Sequence, residues 1–172
     1  MGAAENADRI RAGYKVFNTG DVPGLIDLFA EDIVWHFPGN SKLAGEHVGR
    51  DATLGVLGAY GEAAGGTLQA NMIDVMANGE KAAVRWHAKG SFTGPVRFEG
   101  MIANGAAIDV QGCDVLTIRE GRIHRNDAYM NGADMARQLG ALPPAGSAAE
   151  RAATGALNLK TRLRAWVAAR RG

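Results

Sequence analysis

Apolar positions in this chain follow two different periods. Near the start, Ile10, Tyr14 and Phe17, then Leu25, Leu28 and Phe29 beyond Gly20, recur every three to four residues. That spacing gathers side chains on one face of a helix. "NTGDVPG" divides the run into two helices, with Asp21 placed to cap the second and Pro23 in its first turn. "DIVWHFPG" reads as a short strand closed by Pro38-Gly39, and "NSKLAGEHVG" as a loop. Asp51 to Ala63 reads as a third helix, ended by Gly65-Gly66.

Beyond Gly66 the period becomes two, the signature of strands, whose successive side chains leave opposite faces. "TLQANMIDVMA" runs into Asn78-Gly79, a hairpin signal, and "KAAVRWHAKGSF" returns. "VRFEGMIA" ends at Asn104-Gly105 and "AAIDVQGCDVLTIR" at Glu120-Gly121, both read as strands, and "IHRNDAYM" is the last strand. "GADMARQLG" is a short helix, stopped by Gly140 and Pro143-Pro144, and the remainder reads as a tethered helix. Helices followed by a long meander define an α+β fold, expected here as a conical shape: N-terminal helices packed in a strongly curved, mixed or antiparallel sheet around a cavity. The expected division is a cavity domain over 1–144 and an amphipathic helical extension over 145–172.

Composition narrows the function classes. With 172 residues, 47% hydrophobic and 22% charged, the chain has an ordinary globular mixture with a real core. A net charge of +1 gives no bulk reason to bind nucleic acid. The single cysteine, Cys113, fits a reducing compartment, and "MGAAENADRIRAGYKVF" lacks the apolar core of a secretion signal, so a cytoplasmic location is expected. Phosphate-loop, zinc-protease, nucleophile-elbow and paired-cysteine motifs are missing, and the four histidines are scattered. No metal and no cofactor is expected.

The candidate chemistry lies in the strands. In one, Ile108, Val110, Leu116 and Ile118 share their row with Asp114. Desolvation in such a row disfavours a carboxylate's charged form, which makes Asp114 a site candidate; a structural Asp paired with an Arg or with backbone is the alternative. In "KAAVRWHAKG", Ala82, Val84, Trp86 and Ala88 alternate with Arg85, His87 and Lys89. One of the two rows must be buried, and alternation alone leaves open which. In the strand before the first long loop, Ile33, Trp35 and Phe37 form the apolar row.

"EDIVWHFPGNSKLAGEHVGRDATLGVL", "GGTLQANMIDVMANGEKAAV", "CDVLTIREGRI" and "NDAYMNGADMARQLGALPP" resemble the SnoaL-like group of the nuclear-transport-factor-two-like superfamily. The resemblance covers roughly residues 5 to 144. It implies kinship with polyketide cyclases, ketosteroid isomerases and limonene-epoxide hydrolases. Against the hydrolases, Arg85 matches an arginine, His87 stands where an aspartate would be, Asn131 replaces the second catalytic aspartate, and Trp35 and Phe37 replace the groups that hold water. The acidic residue of the cyclases also falls on Asn131. The resemblance places the hydrogen-bond-donating aspartate of the isomerases on Asp114 and their general base on Phe37. Tyr14 stands one residue from their oxyanion tyrosine, a displacement that turns it away.

These readings combine into a cavity enzyme of isomerase or cyclase type, acting on a hydrophobic, carbonyl-bearing small molecule of polyketide, steroid or terpene kind. His87 moves the proton, Asp114 and Asn131 donate to an oxyanion, and Arg85 orients. Trp35, Phe37, Leu116 and Tyr129 wall the substrate. The alternatives are a non-catalytic carrier of a hydrophobic metabolite, an epoxide hydrolase-like enzyme with altered residues, and an interaction module. The resemblance implies a homodimer through the convex sheet face around Trp86, which turns the row of Val84, Trp86 and Ala88 to a partner subunit and the row of Arg85, His87 and Lys89 to the cavity. Leu159, Leu163, Trp166 and Val167 make a C-terminal apolar stripe among Lys160, Arg162, Arg164, Arg170 and Arg171. This stripe is expected to pack on its own domain or dimer mate, with contact to an anionic membrane as the alternative.

Overall fold

A computed structural model describes residues 2–39 and 42–170. Helix α1 (Ala3–Asn18) leads through a 3-10 turn (Pro23–Leu28) into β1 (Phe29–Phe37) and β2 (Gly45–Val48). Helix α2 (Arg50–Ala63) precedes β3 (Gln69–Ala77), β4 (Lys81–Ser91), β5 (Ala107–Arg119) and β6 (Arg122–Met130). Helices α3 (Gly132–Gln138) and α4 (Ala148–Ala169) follow. The strands form one mixed sheet in the order β2-β1-β6-β5-β4-β3, antiparallel throughout except for the parallel pair β1–β6. This is the expected α+β architecture, a six-stranded curled sheet with helices against it.

Three elements differ from the sequence expectation. The second helix is a 3-10 turn of six residues, which Asp21 caps by accepting from the Gly24 amide at 3.0 Å. Pro23-Gly24 starts it and Phe29 is already extended, so there is no length for an α-helix. The loop after β1 contains the edge strand β2, whose four residues pair antiparallel with Val34–Phe37. "VRFEGMIA" is not a strand. Its middle reverses at Glu99 (φ 53) and Gly100 (φ 89), leaving one bridge between Phe98 and Met101. The Glu99 carboxylate accepts from the Lys42 and Leu43 amides at 2.9 and 3.2 Å, which pins this turn.

Register determines which side of the sheet each row occupies. Across β4 and β5, Val84 faces Asp114, Trp86 faces Gly112 and Ala88 faces Val110. Directly opposed residues of an antiparallel pair share a face. Ala82, Val84, Trp86 and Ala88 therefore stand on the same side as Asp114 and Leu116, the side covered by the helices, and Val84 is fully buried there. Arg85, His87 and Lys89 occupy the outer face, which reverses the row assignment made from sequence. Alternation gives each strand two rows but not the register that ties one strand's rows to the next.

The core lies on the inner side in two neighbouring clusters. One gathers Ile10, Phe29, Ile33, Val84 and Leu116, and the other Ala64, Phe92, Phe98, Val110 and Leu139. Helix α4 belongs to neither, and its side chains are exposed from Arg151 to Arg170. Arg171 lies outside the described residues.

Candidate active site

Helix α1 is held across the inner face at both ends. Asn6 donates to the carbonyls of Asn78 and Gly79 in the β3–β4 turn at 3.3 Å. Asn18 closes a two-way pair with the Ala70 backbone of β3 at 2.9 and 2.7 Å. Between these clamps the Ile10–Tyr14–Phe17 stripe faces the sheet. Tyr14 lies one turn from buried Ile10, and its hydroxyl donates to Asp114 Oδ2 at 3.0 Å. The one-residue displacement expected to turn Tyr14 away does not do so, because the helix's own apolar stripe fixes its direction.

Tyr14 and Asp114 lie in an apolar cavity of about 160 Å³, walled by Trp35, Phe37, Trp86 and Leu116 among others. An apolar cavity of similar size is known to hold benzene, so the space suits a single small ring or the reactive end of a larger molecule. Asp114 is the only carboxyl lining it among the described residues. Trp86 reaches the cavity because its ring lies against Gly112 on β5. A Cβ at Gly112 would sit 2.2 Å from the Trp86 ring and 2.5 Å from the Tyr129 carbonyl. Glycine is thus required here for close approach.

Burial pushes Asp114 from the usual carboxylate range up to about 6; the Trp86 indole, the Tyr14 hydroxyl and the Asn126 amide favour its charged form and hold the rise back. Tyr14 is driven well above its ordinary value, first by burial and then by the adjacent Asp114 charge. Two further polar groups lie buried nearby. Trp35 and Asn126 are register partners on β1 and β6, and among the described residues the buried Trp35 indole N–H has no hydrogen-bond partner. Buried polar groups ordinarily find partners, and this enclosed N–H is an exception. The site therefore holds one carboxyl that changes charge near neutrality, with the Tyr14 hydroxyl and the Trp86 indole beside it in an otherwise apolar space.

The cavity collects Trp35, Phe37, Leu116 and Asp114 from the sequence candidates, and adds Tyr14 and Trp86. Four other candidates lie elsewhere. Arg85 is exposed on the outer face. His87 is outside as well, where its Nε2 meets Asp109 Oδ1 at 2.5 Å, and Lys89 reaches the same carboxylate at 3.2 Å. Tyr129 is 49% exposed on the outer row of β6. Asn131 caps α3 by accepting from the Asp134 amide at 3.1 Å. Trp86 faces the cavity, so it is not the centre of an outer dimer surface. Membership of an apolar row with Ala82, Val84 and Ala88 was the signal that could have placed it inside. Among the described residues no group of three His, Cys, Asp or Glu side chains is arranged to hold a metal ion.

The wall residues Tyr14, Trp35, Trp86 and Asp114 fall within a stretch, residues 10–126, that matches the SnoaL-like domain. An uncharacterized protein of Mycobacterium tuberculosis is 31% identical over 118 residues, covering 69% of this chain and 82% of its own length. Among solved structures, Bal32a from a soil-derived mobile gene cassette is 29% identical with a TM-score of 0.66, covering 80% of this chain and 97% of that one. IdmH of Streptomyces antibioticus, a candidate polyketide cyclase, is 27% identical with a TM-score of 0.65, covering 78% and 98%. The matched stretch and the shared architecture agree: the chain belongs to the SnoaL-like domain family and has the nuclear-transport-factor-two-like fold.

Proposed function

We propose that this protein is a small-molecule enzyme of isomerase or cyclase type, and that Asp114 rather than His87 moves the proton. The observation that carries the reading is the buried Asp114 carboxyl, pushed up to about 6 and joined to Tyr14 in an apolar cavity. A group with that value is largely ionised at neutral pH, yet it accepts and returns a proton readily. The substrate class that fits is hydrophobic and carbonyl-bearing. Asp114 takes a proton from the carbon beside the carbonyl, and the bonding pair moves onto the carbonyl oxygen. Tyr14 turns its hydroxyl from Asp114 to that oxyanion, where a preorganised donor in a dry site is most effective. Asp114 then returns the proton to another carbon, which completes an isomerisation. Alternatively, the enolate carbon attacks a second carbonyl and Asp114 protonates the new alkoxide, which completes a cyclisation. The likeness to IdmH supports the second outcome.

The volume of about 160 Å³ favours a compact substrate over a four-ring steroid. The apolar wall also supports the carrier reading, and one variant separates the two. Asp114→Asn keeps the side chain's size and its acceptor for Tyr14. In the enzyme it is expected to lower turnover of a carbonyl substrate by about 10²- to 10⁴-fold while binding persists. A ligand that co-purifies, is never converted, and binds the variant equally well would establish the carrier. A homodimer remains part of this reading, moved from Trp86 to the exposed outer row that includes Val115 and Tyr129.

A further inference from the structure

Helix α4 is amphipathic, and its apolar stripe is uncovered. Leu159, Leu163 and Trp166 are 60%, 54% and 53% exposed, so the stripe packs on nothing among the described residues. Among the described residues, the helix is attached at its start alone. Ser147 caps it by accepting from the Glu150 amide, and the Glu150 carboxylate pairs with Arg137 of α3 at 2.9 Å. Beyond Glu150 the described helix carries no acidic residue, while Arg151, Lys160, Arg162, Arg164 and Arg170 are all cationic.

The placement of these cations discriminates between occupants. At 3.6 residues per turn, Leu159, Leu163, Trp166 and Val167 share one stripe. Lys160 and Arg164 border one edge, and Arg151 and Arg162 the other. Two such helices side by side would set like charges along both seams, which opposes self-pairing. A sheet of anionic headgroups reverses the sign of that effect. The apolar stripe enters the acyl boundary, and the long basic side chains reach from both edges to the phosphates. Trp166, stacked under the Arg170 guanidinium at 3.6 Å, suits the interfacial level. No helix among the described residues is long and apolar enough to cross a membrane, so contact is in the plane of the surface.

We propose that α4 is a surface anchor that docks this protein on anionic lipid bilayers. Flotation of the full chain with vesicles of phosphatidylglycerol and phosphatidylcholine tests it. The chain is expected to float with mixed vesicles, to stay behind with pure phosphatidylcholine, and to be released by high salt, with a blue shift of Trp166 emission on binding. Joint substitution Lys160→Glu, Arg162→Glu and Arg164→Glu is expected to lower partitioning by about a hundredfold or more. Leu163→Ser with Trp166→Ser is expected to abolish flotation. All five positions are exposed, so the cavity domain stays folded, as an unchanged circular dichroism spectrum will show. Equal flotation on neutral and anionic vesicles overturns the proposal. So does absence of flotation together with a dimer lost in the Leu163→Ser, Trp166→Ser variant, or with retention on polyglutamate, which would indicate an acidic protein surface.

Discussion

Asp109 and Asp114 stand on the same strand and behave in opposite ways. Asp109 lies on the outer row, where His87 and then Lys89 hold its carboxyl below the ordinary value. Asp114 lies on the inner row, where burial pushes its carboxyl up to about 6. An odd number of positions separates them, so the pleat sends them to opposite faces. One carboxylate is permanently charged and solvated. The other sits at the balance point between its two forms. The difference lies in face rather than residue type, and it separates a surface ion pair from a candidate acid-base group.

The sharpest way to break that comparison is to neutralise Asp114. Its value rises from 3.8 to about 6 on folding, so the folded chain holds its proton more tightly than the unfolded chain. The contribution of Asp114 to stability is therefore full below about pH 4, falls as pH rises toward about 6, and stays lost above. Asp114→Asn removes that loss. Urea unfolding is expected to give up to about 3 kcal/mol more stability than the parent at neutral pH, with the gain vanishing near pH 4. A variant that is less stable at neutral pH would mean that the charged form is the favoured one.

Gly112→Ala acts on the packing that keeps the inner face in place. The new Cβ meets the Trp86 ring and the Tyr129 carbonyl, and one of these must move. A loss of about 1–3 kcal/mol is expected, with a change in Trp86 fluorescence. An unchanged spectrum would show that the indole does not need the glycine.

The smallest effect is expected outside. His87→Ala removes the partner of Asp109 and touches nothing in the cavity. Turnover is expected to stay at the parent level, and stability to shift by no more than about 0.5 kcal/mol. A large loss of turnover would return His87 to the chemistry.

Much of the fold was legible in the sequence. Period-two rows marked β3, β4, β5 and β6, the 3.6 period marked α1, and Asp51 with Gly65-Gly66 bounded α2. The short edge strand β2 was not legible, because "GEHV" carries no alternation of its own and becomes a strand by pairing with β1. Asp114 could be recognised as a carboxylate on an apolar row. The outward placement of Arg85 and His87 was not legible, because alternation alone leaves the register open and only pairing puts Val84 opposite Asp114. Tyr14 already stood on the buried stripe of α1, and comparison with relatives by position outweighed that local evidence. For α4, the stripe revealed an apolar face but not what covers it.

The hydrogen bond from Tyr14 to Asp114 joins residues one hundred positions apart. Closing so long a loop is slow and entropically costly, and its reward comes only when the intervening strands are in register. The candidate site is thus a property of the finished fold and of no shorter fragment. Growing from its N-terminus, the chain acquires the Tyr14–Asp114 pair only after β5 has emerged and docked, so the closed pair is a marker of completed folding.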